Sequence, residues 1–216
     1  MNKKNAKIEA VIFDMDGVLI DAKDWHYEAL NKALSLFGYN ISRHDHLVAF
    51  DGLPTRDKLN MLTKEEGLPI ILHTLINDIK QKYTLQIANE KCAPNFIHQF
   101  ALANLKNKGY KIAVASNSIR NSIKVMMEAS ALDKFLDFFL SNEDIKSAKP
   151  DPEIYLTAMD KLKLDPSQCL IVEDNPKGLE AAYKSGAHVL EVQKIEDTNY
   201  ENIMNRIKEI QNKQWI

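Results

Sequence analysis

The chain has 216 residues, enough to bury a sizeable core, and its 45% hydrophobic and 27% charged residues leave no disorder-like deficit of core formers. A net charge of −2 argues against a broad basic footprint for nucleic acid or anionic membrane. Cys92 and Cys169 stand far apart with no CxxC spacing, which favours two buried thiols over a zinc or dithiol site.

The opening "MNKKNAK" is basic but leads only into a short apolar run that Asp14 ends, so it lacks a signal-peptide core, and no stretch approaches a membrane-spanning length. The expected setting is the cytoplasm. The first predicted strand is "EAVIF" (9–13), followed directly by "DMDGVLID". Residues 22–90 then show helical spacing throughout, in "WHYEALNKALSLFG", "TRDKLNMLTKEEG" and "PIILHTLINDIKQKYTLQI", with no convincing strand. They read as a helical cap domain inserted into a core made of residues 1–21 and 91–216.

The core resumes with a predicted helix over 95–108, stopped by Gly109, and a strand at "KIAVAS" (111–116). Residues 121–131 follow as helix and "FFLS" (138–141) as strand. Asp151 and Pro152 read as N-cap and first residue of a helix whose buried stripe is Ile154, Tyr155, Ala158, Met159 and Leu162. After "CLIVE" (169–173), Asn175 caps, Pro176 opens and Gly186 closes another helix. "HVLEV" (188–192) is the fifth strand, and Ile203, Ile207 and Ile210 mark a final amphipathic helix. Near-continuous apolar strands alternating with helices predict an α/β fold, a doubly wound Rossmann-like parallel sheet.

In such a sheet ligands bind beyond the carboxyl ends of the strands. Asp14 follows the first strand, Ser116 with Asn117 end the second and Glu173 with Asp174 the fourth, and Lys149 lies in the loop "SAKPDP". Three grouped carboxylates would raise one another's pKa unless cations joined them. Lys149 supplies one positive charge and a divalent ion two. Oxygen donors without His or Cys suit a hard ion, Mg²⁺ foremost. A carboxylate can also act as nucleophile toward phosphorus, with Mg²⁺ and Lys149 screening the charges and Ser116 holding phosphate oxygens. Asp16, two residues on, then has the place of a proton carrier.

These residues resemble the haloacid dehalogenase superfamily, in its helical-cap branch that includes β-phosphoglucomutase and many sugar-phosphate phosphatases. "DMDGVLID" is similar to its first motif, "VASNS" to the second, "SAKPDPEIY" to the Lys-bearing third and "IVEDNPKGLEAAYKSGA" to the acidic fourth. The resemblance implies a sheet order of 3-2-1-4-5, Asp14 as phosphorylated nucleophile, and Asp16 as general acid and base. It further implies Ser116 as phosphate-binding hydroxyl, Lys149 as charge-balancing lysine, and a Mg²⁺ site formed by Asp14, the backbone carbonyl of Asp16, Glu173 and Asp174. An Asp at position 16 sides with phosphoryl transfer over halide removal.

For substrate binding the candidates are His26, Gly52, Arg56 and Asn117. His26 lies five residues after Asp21, a pattern of the sugar-phosphate branch, and Gly52 precedes Arg56 in "FDGLPTRDKL". Asn117 contacts the substrate or orients its loop. The Arg stands one position later relative to Gly52 than in β-phosphoglucomutase, and Ala22 replaces its hinge threonine, which weighs against mutase activity. His44 and His46, in "RHDH", have no added ligands and read as a solvated helix start.

The expected activity is Mg²⁺-dependent phosphatase action on a small phosphorylated metabolite, a sugar phosphate foremost, by a monomer without nucleic-acid or membrane partners. Alternatives are a hexose phosphomutase, a pyrophosphatase or phosphoglycolate phosphatase, a receiver-like module, and a silent phosphometabolite-binding protein.

Overall fold

The structure is a computed structural model that describes residues 7–213. The chain divides into two compact units, one taking the sequence up to Asp21 and from Ala93 onward, the other Ala22–Cys92.

The first unit is built on β1 (Ala10–Phe13) and, after the second unit, on α5 (Phe96–Asn107), β2 (Lys111–Ala115), α6 (Arg120–Ala129), β3 (Phe138–Leu140), α7 (Glu153–Leu162), β4 (Cys169–Glu173), α8 (Pro176–Lys184), β5 (His188–Glu191) and α9 (Tyr200–Lys213). The second holds α1 (Lys23–Ser35), α2 (Arg43–Asp45), a π-helical turn over His46–Phe50, α3 (Thr55–Glu66) and α4 (His73–Lys91).

The five strands form one sheet in the order β3-β2-β1-β4-β5, every neighbouring pair parallel, as expected. Every residue of β1 and β4 is buried, because a parallel sheet is covered on both faces and offers no solvent side to polar side chains. Side chains alternate between the faces. Ala10 and Ile12 join Ala113, Ala115 and Ile171 against the α7 stripe of Ile154, Tyr155, Ala158, Met159 and Leu162 and against Ala181 and Ala182 of α8. The α9 isoleucines 203, 207 and 210 are buried, as the spacing predicts.

Helix ends follow local chemistry. Asn95 accepts from Ile97 N–H and Asn175 from Lys177 N–H, so two helices begin on side-chain caps. At α7 the assigned start is one residue later than expected: Pro152 is the capping position, while Asp151 Oδ1 still accepts the Glu153 N–H at 2.9 Å. Gly109, at φ 84°, ends the α5 segment in the left-handed conformation that glycine adopts without strain.

The helical unit has its own core of Leu30, Ala33, Leu34, Ile41, Phe50, Leu59, Leu62, Leu68 and Ile76. One expectation fails there. His44 is exposed, but His46 is buried, its ring 4.6 Å from that of Tyr27, so this is not a uniformly solvated helix start. Residues two apart stand on opposite faces of a helix, so with His44 facing outward His46, the first residue of a π-helical turn, faces the interior.

Candidate active site

Parallel pairing sets the site. Phe13 is in register with both Val114 and Val172, so β1, β2 and β4 end at one edge and release Asp14, Ser116 and Glu173 side by side. The Asp14 N–H still donates to Val172 O and the Ser116 N–H to Leu140 O, which ties the first residues beyond the strands to the sheet. After Asp14 the chain turns sharply: the Met15 carbonyl accepts from the N–H groups of Val18, Leu19 and Ile20, while the Gly17 N–H donates to Ile20 O. Gly17 sits at φ 91°, a conformation that a side chain would strain. Asp16 is thereby held two residues beyond Asp14 on a tight turn.

Lys149 is the electrostatic centre. Its Nζ donates to Asp14 Oδ1 at 2.6 Å and to Glu173 Oε2 at 2.8 Å, and the ammonium is only 5% exposed with its residue. Burial opposes the charge on Lys149, but Asp14 and Glu173 overrule it and hold its pKa well above the usual lysine value. Glu173 accepts four hydrogen bonds, from Lys149 Nζ, the Tyr155 hydroxyl, and the Asp174 and Asn175 N–H groups. Burial would raise the Glu173 carboxyl, yet Lys149 and these donors keep it below the usual range, so it ionises more readily than Asp14. Asp14 carries the opposite burden. Burial first, and then the Glu173 charge, push it well above an ordinary aspartate, with Lys149 only partly offsetting them.

Oxygens of Asp14, Glu173 and Asp174 all lie within 4.8 Å of one another. An all-carboxylate set of that size, with Asp14 reluctant to ionise alone, fits a hard divalent cation.

The loop after β2 closes the arrangement. Ser116 is buried and its Oγ accepts the Ser118 N–H at 3.0 Å; Asn117 Oδ1 accepts the Lys149 N–H at 3.2 Å; Ser118 Oγ donates to Asp16 Oδ2 at 2.9 Å. Asn117 thus orients the segment that carries Lys149.

The structure therefore gathers Asp14, Asp16, Ser116, Asn117, Lys149, Glu173 and Asp174 within the first unit. His26, Gly52 and Arg56 belong to the helical unit. Arg56 lies in the first turn of α3 with its side chain 76% exposed and its Nε 3.4 Å from Asp57 Oδ1. His26 Nδ1 is 3.3 Å from Nζ of Lys80, which is buried, as is Lys58 of α3.

Sequence reasoning missed Ser118, Tyr155 as more than packing, and Gly178. A Cβ at Gly178 would stand 2.1 Å from both Cδ and Oε2 of Glu173, so only glycine leaves room for that carboxylate. A glycine in the first turn of a helix is a signal that was available, because helices otherwise disfavour it. No comparable signal marks Tyr155, whose spacing is that of any core residue.

The sequence profile described as haloacid dehalogenase-like hydrolase matches residues 11–192. The phosphorylated carbohydrates phosphatase of Thermotoga maritima is 31% identical over 189 residues, covering 83% of this chain and 82% of that one. The β-phosphoglucomutase of Bacillus subtilis is 28% identical over 196 residues, covering 83% and 80%. The crystal structure of β-phosphoglucomutase from Clostridium difficile superposes with a TM-score of 0.82 at 23% identity, over 94% of this chain and 98% of the other, and so attests the fold. On sheet order, strand-end site and sequence profile together, this chain belongs to the haloacid dehalogenase-like hydrolase family.

Proposed function

We propose that this protein is a Mg²⁺-dependent phosphatase of small phosphorylated metabolites, phosphorylated carbohydrates foremost, working through a phospho-aspartate at Asp14. The observation that carries the reading is the buried set of Asp14, Lys149 and Glu173 at one sheet edge, with Asp16 two residues from Asp14 and Asp174 beside Glu173. The Thermotoga maritima relative, named as a phosphatase of phosphorylated carbohydrates, supports the substrate class.

In this reading Asp14 and Asp174 contribute carboxylate oxygens, and Asp16 its backbone carbonyl, to the ion. Glu173, whose oxygens already accept four hydrogen bonds, adds its charge nearby and holds Lys149 in place. The bound ion supplies screening, which lets one anion approach another. Asp14 attacks phosphorus; the bond to the leaving oxygen breaks, and that oxygen takes a proton from Asp16. Water then attacks the phosphoryl group, gives a proton to Asp16, and releases phosphate and free Asp14. Lys149 and the Ser116 hydroxyl face the charge that gathers on the phosphoryl oxygens. We assign reading of the organic part of the substrate to the helical unit, through His26, Gly52 and Arg56.

Phosphate release from a panel of sugar phosphates, polyol phosphates, phosphoglycolate and pyrophosphate, with Mg²⁺ or with EDTA, tests this. Activity should require the metal and vanish in Asp14→Asn while the circular dichroism spectrum stays that of the wild type; metal-dependent turnover by that variant would refute the nucleophile. A hexose phosphomutase is the second reading, supported by the Bacillus subtilis relative. It predicts isomerised sugar phosphate in place of free phosphate.

A further inference from the structure

We infer that Ser118 is the positioning residue of the proton carrier Asp16, an inference that rests on the phosphatase reading. Its Oγ donates to Asp16 Oδ2 at 2.9 Å across 102 residues of sequence, joining the loop beyond β2 to the turn beyond β1.

The donor is itself anchored. The Ser118 N–H donates to Ser116 Oγ at 3.0 Å, and its carbonyl accepts the Asn142 N–H at 3.2 Å. Ser116 in turn is tied to β3 through Leu140 O. The hydroxyl is therefore presented from backbone fixed at both peptide groups, and it meets the half-buried Asp16 on the turn beyond β1.

The consequence is chemical. A carboxyl group that delivers a proton must aim one oxygen at the leaving group and keep the proton on that oxygen. A hydroxyl donating to Oδ2 sets the rotation of the carboxyl group and, because Oδ2 is occupied as an acceptor, places the carried proton on Oδ1. Ser118 touches neither phosphorus nor the leaving oxygen in this scheme. It acts through Asp16.

Leaving-group dependence separates this role from simple loop support. An alkoxide needs a proton as it departs, whereas p-nitrophenolate leaves without one. The ratio kcat/KM reports steps through formation of the phospho-enzyme, so later hydrolysis does not obscure the contrast. With Mg²⁺ saturating, we expect Ser118→Ala to lower kcat/KM for glycerol phosphate about tenfold or more, in line with the ~10²–10⁴-fold that a whole acid–base group contributes. For p-nitrophenyl phosphate the same variant should stay within about twofold of wild type, and Ser118→Thr, which keeps the hydroxyl, should recover most of the loss. Equal losses on both esters, or no loss on glycerol phosphate, would overturn the positioning role while leaving the phosphatase reading intact. Full activity in Asp14→Asn, or a wild-type protein that releases phosphate from neither these esters nor any sugar phosphate of the panel, would overturn that reading and the role of Ser118 with it.

Discussion

Replacing Gly178 by alanine sets two physical effects against each other. Within α8 an alanine is favoured over glycine by about 1 kcal/mol, so propensity alone predicts a more stable protein. The new methyl group, however, would sit 2.1 Å from Glu173 Cδ and Oε2 and 2.5 Å from Oε1. Glu173 is 1% exposed and accepts from Lys149, Tyr155, Asp174 and Asn175, so any retreat costs hydrogen bonds that nothing replaces. Hydrogen bonds to a charged acceptor contribute roughly 1.5–3 kcal/mol each. Losing two of them costs about 3–6 kcal/mol, and after the helix gain the net loss is about 2–5 kcal/mol. For a chain of this size that is a fall in Tm of roughly 4–20 °C. Thermal and urea unfolding followed by circular dichroism in EDTA should show it. The same substitution in a Glu173→Ala background should be neutral or stabilising, because the obstructed group is gone. A Gly178→Ala protein with a Tm equal to or above that of the wild type would refute the reasoning.

Tyr155→Phe keeps the ring beneath Lys149, 4.7 Å from its Nζ, and deletes only the hydroxyl that donates to Glu173. It should cost about 1–3 kcal/mol in urea unfolding and lower kcat; an unchanged midpoint would show that the hydroxyl contributes nothing. Burial, reinforced by the Lys58 charge, pushes the His46 imidazole down to about 4. It is neutral in the folded protein, while its unfolded counterpart titrates near ~6.5. The resulting stability is complete above the unfolded value and is lost as pH falls toward 4. Between pH 7 and pH 5 the wild type should lose about 2 kcal/mol more than His46→Phe does, and parallel pH profiles would refute it.

Much of this protein is legible in its residues in order. Apolar runs such as "CLIVE", separated by capped helical stripes, determine an alternating α/β chain, since a strand buried on both faces admits no polar position. Asp14, Ser116 and Glu173 are recognisable because each stands at or just beyond the end of such a strand, and parallel pairing carries strand ends to one edge. Periodicity also marks the insertion as helical and puts His44 and His46 on opposite helix faces, but which of the two faces the core is settled by packing against Tyr27.

What the sequence does not contain is which oxygen faces which donor. Glu173 and Asp174 are adjacent carboxylates on paper. Tertiary packing makes the first a fixed anion gripped by Lys149 and Tyr155 over the bare Cα of Gly178, and places the second beside it within reach of a cation. Ser118 likewise becomes Asp16's partner only when two loops 102 residues apart meet. Such pairings depend on side-chain direction and on distances of a few tenths of an ångström, which are set by the packing of distant segments and not by local spacing.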